Sequence, residues 1–133
     1  MRIQAKGGSQ IDFAGIVDSG ASRTVLSMQD AARLGLDPTD PDDLREAGEV
    51  TVADGSAVAC LAPLVPIRAQ VLGAPATLPA EGLDPAGDGP RPWGPIFDLD
   101  AIFVEHAIPL WGQTDFFDTF GIDFQRPEFT LSY

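Results

Sequence analysis

The stretch Gly15-Ile16-Val17-Asp18-Ser19-Gly20-Ala21-Ser22 constrains this chain most, because an aliphatic run delivers a single acid into a turn of small residues. An ordinary turn aspartate needs neither Phe13, Ile16 and Val17 ahead of it nor uniformly small residues behind it. Small neighbours let a second backbone approach the carboxylate closely. The pattern predicts a strand that ends on Asp18 where tight backbone begins.

Length and charge bound the rest. A chain of 133 residues fills one domain, 1–133, and leaves no room for a second independent core. With 20 acidic against 8 basic residues the formal charge is −12. Such a chain is expected to be soluble and to repel nucleic acid and anionic membranes. Hydrophobic residues make up 44% of the chain, enough for a folded core. No apolar run approaches the roughly 20 residues that a membrane span needs. Met1 leads straight into polar sequence, so no secretory signal is expected. Cys60 is the lone cysteine, which rules out an internal disulfide and makes a poor metal site without a His and Cys cluster. The expectation is a cytoplasmic protein that uses no metal and no cofactor.

Along the chain, Ile3 and Ala5 alternate with polar neighbours, Lys6-Gly7-Gly8-Ser9 reads as a turn, and Ile11 and Phe13 resume the apolar pattern. After Asp18, Thr24-Val25-Leu26 favours a short strand. Ser27 stands where a helix N-cap would, Asp30 lies in the first turn, and Gly35 ends a helix of about two turns. Residues 37–48 are acidic, contain two prolines and read as a solvated loop. Asp54-Gly55 lies between two alternating runs and predicts a hairpin over residues 50–62. Residues 73–98 hold six prolines and five glycines and are expected to form an insertion loop, pinned to the body by Trp93 and Phe97.

Strand pattern returns at Leu99, with Ile102 and Val104 on one face and Ala101 and Phe103 on the other. Then come Ile108, Leu110 and Trp111, the segment Gly112-Gln113-Thr114-Asp115-Phe116-Phe117, and an alternating tail to Tyr133. Thr114 or Asp115 is expected to cap a second short helix. Several features carry no function on this reading: His106 is a solvated loop residue, Trp111 is core or cleft wall, and Asp98 and Asp100 are solvated loop ends.

Asp18-Ser19-Gly20-Ala21 after an apolar strand resembles the Asp-Thr/Ser-Gly-Ala/Ser signature of retropepsin-like, or retroviral-type, aspartic proteases. The order of the features that follow is similar too: a helix, a hairpin, and a Gly-x-Asn/Asp-Phe/Leu-Leu type of segment near the C-terminal end. The resemblance implies an all-β, closed barrel of short strands with one or two short helices and a flap hairpin. Because one signature is present, it implies an aspartic endopeptidase built as a homodimer, each subunit supplying one Asp. The chemistry requires the pair: an ionised carboxylate takes a proton from water while a protonated one donates to the scissile carbonyl oxygen.

Carried over by position, the resemblance makes Asp18 catalytic and Ser19 and Gly20 supports of the catalytic turn. It assigns Ala21 and Ser22 to the border of the substrate strand. Ala53, Asp54 and Gly55 fall at the tip of the flap that would close over a peptide or protein substrate. Two positions depart from the retroviral pattern. Gln113 stands where those enzymes have an Arg, and Ser22 where they have an acid, so both members of that charge pair are missing together. The runner-up readings are a non-catalytic peptide-binding or scaffold module of the same fold, and a processing enzyme active only within a larger assembly.

Overall fold

The computed structural model describes residues 1–73, 90–125 and 128–133. The first alternating run folds as its pattern requires. Strand β1 (Arg2–Gln4) pairs antiparallel with β2 (Gln10–Asp12), with Ile3 opposite Ile11 and Gly8 at φ +91 in the turn. Strand β3 (Ile16–Val17) leads to Asp18, and β4 (Thr24–Ser27) leads away from the turn. Ser27 then caps α1 (Met28–Arg33) through a reciprocal box. Its hydroxyl accepts from Asp30 N at 3.0 Å, and Asp30 accepts from Ser27 N at 3.0 Å. Gly35, at φ +76, follows the helix as a stop.

The Asp-Gly hairpin is longer than its sequence suggests. Strand β5 (Leu44–Thr51) pairs with β6 (Ala57–Pro63), so residues 44–48, expected in a loop, are strand. Two features hid this. The strand lies at a sheet edge where acidic residues face solvent, and it carries a bulge in which Ala47 and Gly48 oppose Cys60. Gly48 takes φ +86 there.

The expected loop over 73–98 is corrected in the same way. Strand β7 (Ile67–Gly73) pairs antiparallel with β8 (Arg91–Leu99), so most of the second half of that segment is strand. Prolines 92 and 95 are tolerated because, among the described residues, β8 is the edge strand of its sheet. Gly94 (φ +76) and Pro95 form a bulge between the pairs Val71↔Trp93 and Gln70↔Ile96, and Gln70 Nε2 donates to Gly94 O at 2.8 Å. Residues 74–89 of the expected insertion lie outside the described residues.

Strands β9 (Ala101–Val104) and β10 (Leu110–Trp111) follow, then a single π-helical turn (Gln113–Phe117) and the hairpin β11 (Gly121–Gln125) with β12 (Glu128–Ser132). The protein is mostly β. Its strands form sheets ordered β2-β1-β7-β8, β3-β10-β4-β9-β6-β5 and β11-β12. Among the described residues these sheets do not close into one barrel, because each of the two larger ones keeps two open edges. The helical expectation of one or two short segments is met by α1 and the π turn, although Gly112, not Thr114 or Asp115, occupies the cap position of the second.

Alternation along β9 divides the interior. Ala101 and Phe103 enter the main core, while Ile102 and Val104 pack with Cys60, Val25, Val50 and Val58 on the other face. In the main core Phe120 is 2% exposed and stands among the rings of Phe116, Phe97 and Trp93 at 5.1, 5.6 and 5.9 Å. Trp93 and Phe97 thus tie β8 to the body. Truncating Phe120 to Ala is expected to cost about 3–5 kcal/mol, seen in urea unfolding as a lower midpoint with an unchanged slope.

Candidate active site

Strand β10 lies between the two strands that flank Asp18. It pairs parallel with β3, Leu110 opposite Ile16 and Trp111 opposite Val17, and antiparallel with β4 through Leu110 and Val25. The turn 18–23 must therefore pass over the end of β10. Asp18 N donates to Trp111 O at 3.0 Å, which fixes the start of the turn. Ala21 N then donates to Asp18 O at 3.2 Å and closes it.

Asp18 is partly exposed, and its Oδ1 accepts from Gly20 N at 2.8 Å. Gly20 leaves the carboxylate room: a Cβ there would stand 3.1 Å from that oxygen. Ser19, Gly20 and Ser22 are exposed and Ala21 is half-buried, so the turn presents one carboxyl with small groups around it. Asp18, Ser19, Gly20, Ala21 and Ser22 are thus gathered in one turn, as the motif predicts.

The segment after β10 grips this turn from below. Gly112 packs so tightly on Arg23 that a Cβ would come within 2.3 Å of its carbonyl carbon and oxygen. Gln113 N donates to Ala21 O at 2.9 Å and Thr114 N to Ser22 O at 3.0 Å. Gln113 Nε2 donates to Ser19 O. Where the retroviral pattern has an Arg and an acid, this chain uses an amide side chain on a carbonyl. One residue further, Arg23 makes a two-point ion pair with Asp100, which also accepts from Thr114 Oγ1 at 3.0 Å. Asp100 is therefore engaged, not simply a solvated loop end.

Beneath lies a buried relay that the sequence did not reveal. Gly112 N donates to Thr24 Oγ1 at 3.2 Å, and Thr24 Oγ1 donates to Asp115 Oδ1 at 2.8 Å. Asp115 is 4% exposed, and its Oδ2 has no hydrogen-bond partner among the described residues. Burial pushes its carboxyl above the usual range, against the lowering effect of the Thr24 bond. An acid three residues after a glycine gives no sign of being inside; only the packing reveals it.

The hairpin tip is elsewhere on the same sheet. Val52 N donates to Ser56 O and Gly55 N to Val52 O, both at 2.9 Å, while Asp54 Oδ1 accepts from Ser56 N and Oγ at 2.8 and 2.5 Å. Ala53, Asp54 and Gly55 are all exposed. Since β3 and β5 are opposite edges of the six-stranded sheet, no hydrogen bond among the described residues joins the tip to the Asp18 turn. A cavity of about 570 Å³ lies at the root of the hairpin between Lys6, Leu34, Asp43, Pro63 and Ile67, and Asp18 is not among the residues that line it. Among the described residues no group of three His, Cys, Asp or Glu is placed to hold a metal ion. No helix there is long and apolar enough to cross a membrane. His106 is exposed, and Trp111 is buried at 4%.

A family model described as aspartyl protease matches residues 3–74, just over half of the chain. The match takes in the Asp18 turn, α1 and the β5–β6 hairpin. Neither a curated protein nor a solved structure matches the chain.

The buried acid gives a pH prediction. With the folded carboxyl of Asp115 held above its ordinary value, the folded state retains that proton longer than the unfolded chain does. This stabilising share is complete at low pH and is lost as pH rises through the range between the unfolded and folded values. Asp115→Asn removes the dependence. The stability difference between variant and wild type, followed by urea unfolding from about pH 3 to 8, is expected to move in favour of the variant as pH rises.

Proposed function

The chain belongs to the aspartyl protease family, of the retropepsin-like type, and from that premise we propose that it is an aspartic endopeptidase that works as a homodimer. Each subunit is a single domain and brings Asp18 to the dyad. The observation that carries the reading is the half-exposed Asp18 carboxylate, held by Gly20 N–H in a turn whose backbone is locked from Trp111 to Thr114. A lone carboxyl so fixed lacks only its second copy.

Support for a partner comes from the surface beside it. Among the described residues strand β3 is a short open edge, Ile16 is 53% exposed and Ile108 is 63% exposed. Covering this edge with a second copy would bury both isoleucines and bring two Asp18 turns face to face. The terminal β11–β12 sheet would extend the same interface across the two subunits, and the barrel would be completed in that assembly.

In the dyad two carboxyls share one proton, because two in contact do not both ionise readily. The ionised one takes a proton from the attacking water. The protonated one gives its proton to the carbonyl oxygen, and the tetrahedral diol then collapses with proton transfer to the leaving amine. Ser19 and Gly20 hold the turn. An extended peptide would run past Ala21 and Ser22, paired through its main chain, beneath the hairpin tip Ala53-Asp54-Gly55. Apolar side chains suit it best. A reducing cytoplasmic setting belongs to this reading, and the buried, unpaired Cys60 is compatible with it.

Asp18→Asn is expected to abolish cleavage of a peptide library between acidic and neutral pH while leaving the unfolding midpoint close to wild type. Equal cleavage by both proteins removes Asp18 from the mechanism. Binding of an extended peptide with no turnover in the wild type would instead support a non-catalytic peptide-binding module. Specific activity is expected to fall on dilution in step with the loss of the dimer in sedimentation. Activity from a protein that stays monomeric would contradict the shared site.

A further inference from the structure

The peptide unit between Ser19 and Gly20 is held at both ends. Its carbonyl oxygen accepts a hydrogen bond from Gln113 Nε2, and its N–H, the backbone amide of Gly20, donates to Asp18 Oδ1 at 2.8 Å. Both groups belong to one planar amide, so one cannot turn without the other. A glycine on one side makes that unit easy to rotate in the absence of a restraint. A donor at the oxygen also polarises the amide and strengthens its N–H toward the carboxylate.

The lever is itself fixed. Gln113 N is bonded to Ala21 O, Thr114 N to Ser22 O, and Gly112 is wedged against the Arg23 backbone, so the Gln113 side chain that reaches Ser19 O starts from a set point. On the reading of Asp18 as the catalytic acid, on which this inference rests, we propose that Gln113 is a positioning residue. It locks the Ser19–Gly20 peptide so that its N–H faces the Asp18 carboxylate, and thereby sets how that carboxylate is aimed. The role depends on a donor at position 113, not on bulk: the side chain is exposed and fills no core.

The full chain is compared with Gln113→Ala and Gln113→Glu, using peptide cleavage and the amide proton shift of Gly20 in NMR spectra. Gln113→Ala is expected to lower kcat about tenfold, the effect of one hydrogen bond, with little change in KM. Its ratio to wild type should stay flat with pH. Gln113→Glu keeps the shape but offers no donor while ionised, and its deficit is expected to shrink as pH falls through the ordinary carboxylic-acid range and the introduced carboxyl regains an O–H. The Gly20 amide proton should move upfield in Gln113→Ala and, for Gln113→Glu, should return toward wild type with the same pH dependence. This second readout needs no catalysis, so a chain that cleaves nothing yet shows these shifts upholds the clamp and removes the hydrolase reading. An unmoved Gly20 proton in Gln113→Ala overturns the proposal, as does an equal, pH-independent deficit in both variants.

Discussion

The site depends on one close approach of backbone to backbone, where Gly112 lies on Arg23 with no space for a Cβ. That contact lets β10 sit between β3 and β4 while the chain after it doubles under the turn that carries Asp18. Three main-chain and side-chain bonds from residues 113 and 114 reach Ser19, Ala21 and Ser22 because of it. The role proposed for Asp18 needs its carboxylate placed to a fraction of an ångström, and turns alone do not supply that rigidity. Here the rigidity comes from a second segment about ninety residues away in sequence.

The same neighbourhood shows how charge is distributed around a site of this kind. Arg23 and Asp100 pair at the surface, where the bond is screened and contributes little stability. Asp115 is buried and accepts at one oxygen from Thr24 Oγ1 and Phe116 N, while its other oxygen has no partner among the described residues. A buried carboxyl in that state is tolerable chiefly as the neutral acid, because a charge there would lack compensation. The two acids lie fifteen residues apart and differ only in environment, which is why identity alone does not assign them roles.

Much of this was legible in the sequence where local chemistry decides the outcome. The Ser27 cap with Asp30, the Asp54-Gly55 turn, the Gly8 hairpin and the small residues after Asp18 all act within a few positions, and all stand where the residue types put them. Alternation along Ala101–Val104 correctly sorted two faces. Strand β8 was hidden by Pro92 and Pro95, since composition does not reveal that a segment will be an edge with a bulge to absorb them. Residues 44–48 were hidden for a related reason, an exposed edge rich in charge. Gln113 and Asp115 were visible as letters of a segment, but their targets are fixed by tertiary packing and could not be read from spacing.

In the proposed enzyme Asp18 is half of an active site completed by a second copy. A crystal structure of the protein with an extended peptide whose scissile carbonyl is replaced by a secondary alcohol tests it most directly. One peptide per two chains is expected, with the Asp18 carboxyls of both copies within about 2.6–3.2 Å of the alcohol oxygen. A peptide seated at the root of the hairpin, with each Asp18 facing solvent and no partner copy beside it, would contradict a shared active site.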